Sequence, residues 1–214
     1  MKPQALYETL WQAVQGREED IVLRCGDKSL SYGALFQGIL QAEAGLRALG
    51  VGPGELVTLF SLNTPEAVMA FYAIDRIGAV ANWVDMKVSP AEVEEYLTQA
   101  GSRVALVLEV AFSKVYHHRG KAPTQHFVVL PLAPYVAPEL EGKLHLSTWQ
   151  QGAGPDCLSW ADFLRPPAQV PPEADRWEEP VAITYTGGTT GPAKGVVLSR
   201  RSFAWALEYY TRAE

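Results

Sequence analysis

Cysteine is scarce in this sequence, which argues against a disulfide scaffold and against a cysteine-based zinc site. The 214 residues include two cysteines, Cys25 and Cys157, which lie far apart and match no metal-binding spacing. Their even number is compatible with a disulfide. Reduced thiols in a cytosolic protein are the favoured interpretation.

Positive charge is also in short supply. Lysine and arginine together number 18, against 24 aspartate and glutamate residues, which gives a formal net charge of −6. A protein that binds nucleic acid usually presents a basic surface that neutralises phosphates, and the sequence shows no such stripe. The charge balance therefore argues against a nucleic-acid partner.

The sequence lacks a long apolar run. Residues 1–4 do not begin the apolar segment of a secretory signal. The most apolar stretch, residues 67–84, is interrupted by Asp75, Arg76 and Gly78, so it is interpreted as a buried helix and strand. No transmembrane segment is predicted, and a cytoplasmic location is expected.

Histidine is too sparse and too irregularly spaced to indicate a metal centre. The four histidines are His117, His118, His126 and His145. Their spacing matches no zinc pattern, no cysteine joins them, and adjacent histidines point apart. A polar surface is favoured, and no metal site is predicted.

What the sequence does contain is the composition of an ordinary globular protein, with 48% hydrophobic and 20% charged residues. After an N-terminal helix and a β-hairpin around Gly26-Asp27, helical periodicity alternates with short apolar strands. This alternation predicts an α/β fold, with a mostly parallel sheet flanked by helices. The predicted strands are 56–61, 79–84, 104–108 and 126–130, and the predicted helices are 32–49, 65–77 and 90–100.

Proline interrupts this pattern from residue 131 to residue 180, where only a short helix at 160–164 is expected. Residues 1–165 are therefore interpreted as a first α/β subdomain and residues 166–180 as a proline-rich crossover. Residues 181–214 would begin a second, incomplete subdomain. The alternative for the crossover is a surface excursion within a single domain.

The glycine-rich stretch of residues 184–195 organises the rest of the chain. It reads Thr-Tyr-Thr-Gly-Gly-Thr-Thr-Gly-Pro-Ala-Lys-Gly, and an apolar strand over residues 181–186 leads into it. Further on, Ser199 or Ser202 is expected to cap a helix. Glycines let backbone N–H groups point inward, hydroxyl groups add donors, and the lysine adds positive charge. The stretch therefore predicts a polyphosphate site.

Two better-known glycine motifs do not fit this stretch. A Walker P-loop needs Gly-Lys-Ser/Thr, whereas Ala193 precedes Lys194 and Gly195 follows it. The dinucleotide spacing Gly-x-Gly-x-x-Gly is absent as well. A lone lysine is usually a solvated surface residue, but with Thr189 and Thr190 beside it Lys194 is predicted to contact phosphate.

The stretch resembles the phosphate-binding loop of the adenylate-forming enzymes, which include acyl-CoA synthetases, aryl-CoA ligases, luciferases and peptide-synthetase adenylation domains. Their pattern is Thr-(Ser/Gly)-Gly-Thr-Thr-Gly-x-Pro-Lys-Gly, and this sequence departs from it at Ala193, with Pro192 one place early. The Thr-Gly-Gly and Ala-Lys-Gly variant is most similar to long-chain fatty acyl-CoA synthetases, which suggests fatty acid metabolism. Arg200 stands where the family often has histidine. Further landmarks, in family order, extend the resemblance over nearly the whole chain: residues 30–35, 50–54, 62–66 and 73–80.

The resemblance implies an ATP-dependent, AMP-forming ligase. A carboxylate attacks the α-phosphorus of ATP to give an acyl-adenylate and pyrophosphate, and a thiol, commonly that of coenzyme A, then takes the acyl group. ATP, Mg²⁺ and coenzyme A are the implied cofactors, none of them bound tightly by this chain. No catalytic residue is predicted within it. The residues expected to contact the ATP phosphates are Thr186, Gly187, Gly188, Thr189, Thr190, Gly191 and Lys194.

The later motifs of the family would all lie beyond Glu214, so the sequence is interpreted as an N-terminal fragment that is inactive alone. Its expected partners are the missing C-terminal region and a carboxylic acid, fatty or other. The loss of that region is expected to expose Phe203, Leu207 and Tyr210 and to favour self-association. The alternative is a stand-alone, non-catalytic binding or scaffold module with the same fold. The sequence leaves open which acid is used and whether the acceptor is coenzyme A or a carrier-protein thiol.

Overall fold

The computed structural model describes residues 6–144, 146, 148–168, 177–186 and 194–212, with the backbone alone for residues 207–212. The helices are α1 (Leu6–Ala13), α2 (Tyr32–Ala48), α3 (Pro65–Ile77), α4 (Pro90–Ala100), α5 (Phe112–Tyr116), α6 (Pro138–Lys143), α7 (Trp160–Phe163) and α8 (Arg200–Arg212). The strands are β1 (Ile21–Cys25), β2 (Lys28–Ser31), β3 (Leu56–Phe60), β4 (Val80–Trp83), β5 (Val104–Leu108), β6 (His126–Leu130), β7 (Cys157–Ser159), β8 (Pro180–Thr186) and β9 (Lys194–Ser199).

Seven strands form the main sheet, in the order β7-β6-β5-β3-β4-β8-β9. All neighbouring pairs are parallel except β8 and β9, which form an antiparallel hairpin. Strands β1 and β2 form a separate antiparallel pair. The predicted α/β fold with a mostly parallel sheet is confirmed.

Helices cover both faces of the sheet. Strand β5 is buried along its whole length, with Val104, Leu106 and Leu108 in one hydrophobic cluster and Ala105 and Val107 in the other. Helices α1, α2 and α3 pack against the first cluster, whereas α4 and α5 pack against the second. A strand buried on both faces needs apolar residues at every position, which explains the continuous apolar run in its sequence.

Local capping sets the starts of the helices that flank the central strands. The Thr64 side chain accepts a hydrogen bond from Ala67 N, and Pro65 occupies the first turn of α3. At α4, the Ser89 side chain and the Glu92 side chain form a reciprocal capping box. Both helices end at a glycine with positive φ, Gly78 and Gly101, as expected where the chain must leave a helix sharply.

The structure departs from the sequence-based expectations in some details of the fold and agrees with them in others. Helix α6 and the three-residue strand β7 form within the segment where proline had suggested irregular structure. Helix α5, between β5 and β6, is preceded by a 3₁₀ turn at Glu109–Ala111. The short helix near Trp160 is present as α7. The division into subdomains stays a prediction, and β8 pairs with β4 within the seven-stranded sheet.

Within the described ranges, no helix combines the length and the apolar character needed to cross a bilayer.

Candidate phosphate-binding site

The hairpin of β8 and β9 carries the glycine-rich stretch at the carboxyl end of the sheet. Thr186 ends β8 and Lys194 begins β9, and these two residues pair directly across the hairpin. Residues 187–193, which include the predicted contacts Gly187, Gly188, Thr189, Thr190 and Gly191, lie outside the described residues. The structure therefore describes both ends of the predicted phosphate-binding segment.

The two described site residues face each other at the open end of the hairpin. The Thr186 hydroxyl donates a hydrogen bond of 3.4 Å to the backbone oxygen of Lys194. Both side chains are exposed, and among the described residues no carboxylate forms an ion pair with Lys194. An exposed ammonium group without a carboxylate partner is available to bind an anion.

A buried polar chain anchors the hairpin to the middle of the sheet. The Tyr185 hydroxyl donates to the side-chain oxygen of Asn82 at 2.7 Å, and the Asn82 amide donates to Thr58 at 3.1 Å. The Tyr185 ring also lies 4.3 Å from the ring of Tyr96, centroid to centroid. Burial raises the pKa of Tyr185 above its ordinary value, so its hydroxyl keeps its proton and remains a donor.

Two adjoining cavities open beside the hairpin, at the carboxyl ends of β3, β4 and β8. Connections from β3 and β4 leave toward opposite faces of the sheet, and ligands of open α/β sheets bind in crevices at such positions. Asn63, Trp83 and Thr184 line both cavities. The cavity of about 450 Å³ is mainly apolar and is also lined by Val68, Phe71, Tyr72, Ala182 and Phe203. The cavity of about 290 Å³ is also lined by Ser61, Leu62, Asp85, Met86 and Tyr185.

The opposite end of the hairpin holds a residue whose role the sequence did not indicate. Arg200 follows β9 directly and is 1% exposed, which makes it one of the most deeply buried large side chains of the described chain. Its guanidinium Nε lies 2.6 Å from Oδ1 of Asp75, which is fully buried. The predicted cap is present one residue earlier, where Ser199 Oγ accepts a hydrogen bond from Ser202 N at 3.2 Å. A basic residue at a helix start gives no signal of burial, because its acidic partner lies 125 residues away in sequence.

The structure describes three of the four histidines, His117, His118 and His126. Among the described residues, no group of three or more His, Cys, Asp or Glu side chains is placed to hold a metal ion. His118 is buried, in contrast to the polar surface expected for it, and its Nδ1 lies 3.1 Å from Oε2 of Glu94. His145 lies outside the described residues. Cys25 and Cys157 are both free thiols.

The sequence profile of a known family covers almost the whole chain. The profile, described as AMP-binding enzyme, matches residues 10–213. The chain belongs to the AMP-binding enzyme family. This result confirms the resemblance to adenylate-forming enzymes, and the closer similarity to long-chain fatty acyl-CoA synthetases stays a prediction.

Relatives within the family include ligases for different acids. The long-chain-fatty-acid–CoA ligase of Thermus thermophilus is 33% identical over 194 residues, which are 89% of this chain and 32% of that ligase. The acetyl-coenzyme A synthetase of Pseudoalteromonas atlantica is 29% identical over 196 residues, 88% of this chain and 28% of that synthetase. The 4-coumarate–CoA ligase 3 of rice is also 29% identical, over 176 residues, 82% of this chain and 28% of that ligase.

A solved structure shows the same fold. The crystal structure of an anthranilate CoA ligase in complex with anthranoyl-AMP matches with a TM-score of 0.82 and 23% identity, over 97% of this chain and 37% of that chain. The chain thus spans less than two-fifths of the length of each of these four ligases and synthetases.

Proposed function

We propose that this chain supplies the ATP phosphate-binding part of an AMP-forming carboxylate–CoA ligase. The observation that carries the proposal is the pairing of Thr186 with Lys194 at the carboxyl end of the sheet, on either side of a segment rich in glycine and threonine. Family membership supports the same assignment. ATP, with its magnesium, and coenzyme A are the proposed small-molecule partners, together with a carboxylic acid.

In this proposal the hairpin binds the triphosphate of ATP. Lys194 neutralises the β- and γ-phosphates and stabilises pyrophosphate as it leaves, while Thr186, Thr189 and Thr190 donate hydrogen bonds to phosphate oxygens. Each charge-assisted bond contributes about 1.5–3 kcal/mol, so a few of them account for a weak but measurable affinity. The backbone N–H groups of Gly187, Gly188 and Gly191 complete the contacts.

Chemistry at the α-phosphorus needs further groups. Magnesium would supply charge neutralisation there, and the described residues offer no carboxylate cluster to hold it. The family resemblance assigns that role to a glutamate in a motif that this sequence does not contain. We therefore expect the chain to bind ATP without catalysing adenylation by itself.

The proposal also includes the class of carboxylic acid and the cellular location. Long-chain fatty acids, and with them fatty acid metabolism, are suggested by the glycine-loop variant Thr-Gly-Gly with Ala-Lys-Gly. A cytoplasmic location is suggested by the two free thiols, since a reducing compartment maintains unpaired cysteines.

Isothermal titration calorimetry of the chain with ATP or inorganic pyrophosphate tests the proposed phosphate binding. Lys194→Ala should weaken binding by about ten- to a hundredfold, which is the loss of one charge-assisted contact. Lys28→Ala, which removes an exposed lysine from the separate β1–β2 sheet, is the matched control and should leave affinity unchanged. Equal affinities for the wild type and Lys194→Ala would count against the proposal.

Exchange of labelled pyrophosphate into ATP tests the wider assignment. We expect none from residues 1–214 and carboxylate-dependent exchange once the downstream part of a related ligase is added. Binding without exchange in that combined protein would favour the alternative of a non-catalytic binding module.

A further inference from the structure

The hairpin of β8 and β9 has two ends in contrasting environments. Its open end, Thr186 and Lys194, is exposed, whereas Arg200, which follows Ser199 at its base, is buried. Lys194 and Arg200 are six residues apart, which corresponds to about 20 Å along an extended strand. A tilt at the base would therefore displace the phosphate-binding end.

Apart from its base, the hairpin is held by the pairing of β8 with β4 and by the contacts of Tyr185. Strand β9 is the last strand of the sheet and pairs with β8 alone among the described strands. Strand β8 in turn pairs with β4 over three residue pairs, the last of which is Trp83 with Thr184. The residues beyond Thr184 project past the sheet, where Tyr185 is anchored through Asn82.

Arg200 ties the base to two other helices. Its Nε donates to Asp75 Oδ1 at 2.6 Å and its Nη2 donates to the Asp75 backbone oxygen at 3.1 Å. Asp75 lies in the last turns of α3, and its Oδ2 accepts a hydrogen bond of 2.8 Å from Leu6 N at the start of α1. The carboxylate is thus held by Arg200 at one oxygen and by Leu6 N at the other, so Asp75 links the base of the hairpin to α1 and α3.

Stability alone is a weak explanation for such a pair. Moving both charges out of water costs free energy. Replacing a buried ion pair with well-packed apolar residues often leaves a protein equally stable or more stable. What a buried arginine–carboxylate pair adds is a fixed geometry, because the planar guanidinium accepts only a narrow range of partner positions.

We infer that the Asp75–Arg200 pair is a positioning element for the phosphate site, which fixes the base of the hairpin and so the direction in which Thr186 and Lys194 face the phosphates. The consequence for phosphate binding rests on the function proposed above. The effect of the pair on the direction of the hairpin does not depend on that function.

Two variants and a matched control separate positioning from stability. Asp75→Asn removes the charge with little change in shape, and Arg200→Lys keeps the charge but loses the two-point contact. Glu43→Gln breaks a comparable buried pair, since Glu43 lies 2.6 Å from Arg76 with both side chains at most 5% exposed. That control pair joins α2 to α3, and Glu43 pairs with Arg47 and Arg76 and with no described residue of the hairpin. For each variant the Tm, the amide hydrogen exchange of residues 194–199 and the Kd for inorganic pyrophosphate are measured.

All three variants should lower the Tm, but only two should affect the hairpin. Asp75→Asn should speed exchange in residues 194–199 by at least about tenfold, since local opening of the hairpin would become easier. It should also raise the Kd for pyrophosphate by about tenfold or more, because Thr186 and Lys194 would be displaced from their positions facing the phosphates. Arg200→Lys should give a smaller change in the same direction, and Glu43→Gln should leave exchange in the hairpin and the Kd unchanged.

Exchange in residues 194–199 that is unchanged in Asp75→Asn and Arg200→Lys, or that rises equally in Glu43→Gln, would overturn the inference. A second outcome is faster exchange in the Asp75 and Arg200 variants alone, together with a wild-type chain that does not bind pyrophosphate. That outcome would support the positioning of the hairpin and contradict the phosphate-binding function. Faster exchange with an unchanged Kd would also overturn the inference, because the pair would then be structural only.

Discussion

At the scale of single residues, the hairpin holds two cations with opposite surroundings. Lys194 is exposed at the open end, and Arg200 is buried against Asp75 at the base. Lysine is strongly hydrated and reaches a mobile anion from solvent, whereas arginine tolerates burial and binds a carboxylate at a fixed angle. Exchanging the two residue types would therefore impair both ends of the hairpin.

Glu8 gives the molecule a predictable response to pH. Burial raises the pKa of Glu8 from 4.5 to about 6, and the nearby Asp75 and Glu43 carboxylates add to this, whereas Arg76 opposes it. The folded state therefore holds a proton that the unfolded chain has already released. The free energy of unfolding should fall by up to about 2 kcal/mol as the pH rises from about 4.5 to about 6.

Urea unfolding of the wild type and Glu8→Gln across this pH range measures the effect. Glu8→Gln should reduce the decline, because glutamine does not titrate, and the remainder would come from Glu66 and Asp75, whose pKa values burial also raises. Asp20→Asn, at an exposed ion pair with Arg17, is the control and should leave the decline in place. Parallel curves for the wild type and Glu8→Gln would show that Glu8 is not the group responsible.

Two helical glycines should respond to alanine in opposite directions. A Cβ at Gly45 in α2 would lie 2.5 Å from the backbone oxygen of Phe163, so Gly45→Ala should destabilise the fold. The expected cost is about 1–3 kcal/mol, as for other overpacked sites. Gly142 in α6 has no atom within 4 Å of the corresponding position, and Gly142→Ala should stabilise by about 0.5–1 kcal/mol. Thermal unfolding of both variants checks the signs, and a gain at Gly45 would contradict the packing described here.

At the scale of elements, the capping box at the start of α4 is a local feature with a measurable contribution. Ser89→Ala removes the acceptor for Glu92 N and should lower the free energy of unfolding by about 1 kcal/mol. Ser113→Ala, at an exposed position of α5, is the matched control and should stay within about 0.5 kcal/mol. Denaturant titration compares the two, and equal losses would indicate that the box adds nothing beyond helix propensity.

The elements with strong local signals could be predicted from the sequence. Capping residues and apolar periodicity marked α2, α3 and α4 to within a residue or so of their observed bounds. Continuous apolar runs marked the buried strands β5 and β6. These signals are local because a helix end or a buried strand imposes its requirements on adjacent residues.

Pairing between distant elements could not be predicted in the same way. The position of β8 beside β4 and the antiparallel direction of β9 depend on contacts between segments far apart in sequence. The short strand β7 is held by its pairing with β6 and carries little pattern of its own. For the site, the sequence indicated Thr186 and Lys194 through the glycine motif, but the burial of Arg200 and His118 depends on Asp75 and Glu94, which no local pattern connects to them.

At the scale of the whole molecule, Phe203 is less exposed than expected for the apolar surface of α8. Phe203 packs against Phe71 with ring centroids 5.4 Å apart, and the side chains of Leu207 and Tyr210 lie outside the described residues. The exposed apolar residues near the hairpin are Val196, Val197 and Trp205, at 40%, 58% and 73% exposure. Strand β9 thus presents an apolar, unpaired edge within the described part of the sheet, which is a common site of association between chains.

Self-association should therefore depend on the β9 edge. Val197→Lys should shift the sedimentation profile at high protein concentration toward monomer, because a lysine on an edge strand disfavours pairing with another strand. Leu140→Lys in α6, where the native side chain is 47% exposed, is the control and should leave association unchanged. A dependence on Leu140 equal to that on Val197 would place the contact elsewhere.

The position of β8 between β4 and β9 has a consequence for the newly made chain. Asn82 in β4 and Tyr185 in β8 are neighbours in the sheet but are 103 residues apart in sequence. At the usual rate of translation, the ribosome needs about 5–20 s to add that many residues. During this interval the strands up to β7 can assemble while β4 still has one edge open. The late arrival of the β8–β9 hairpin covers that edge and leaves β9 as the outer strand of the described sheet, so the segment proposed to bind ATP also determines when β4 is withdrawn from wrong pairing.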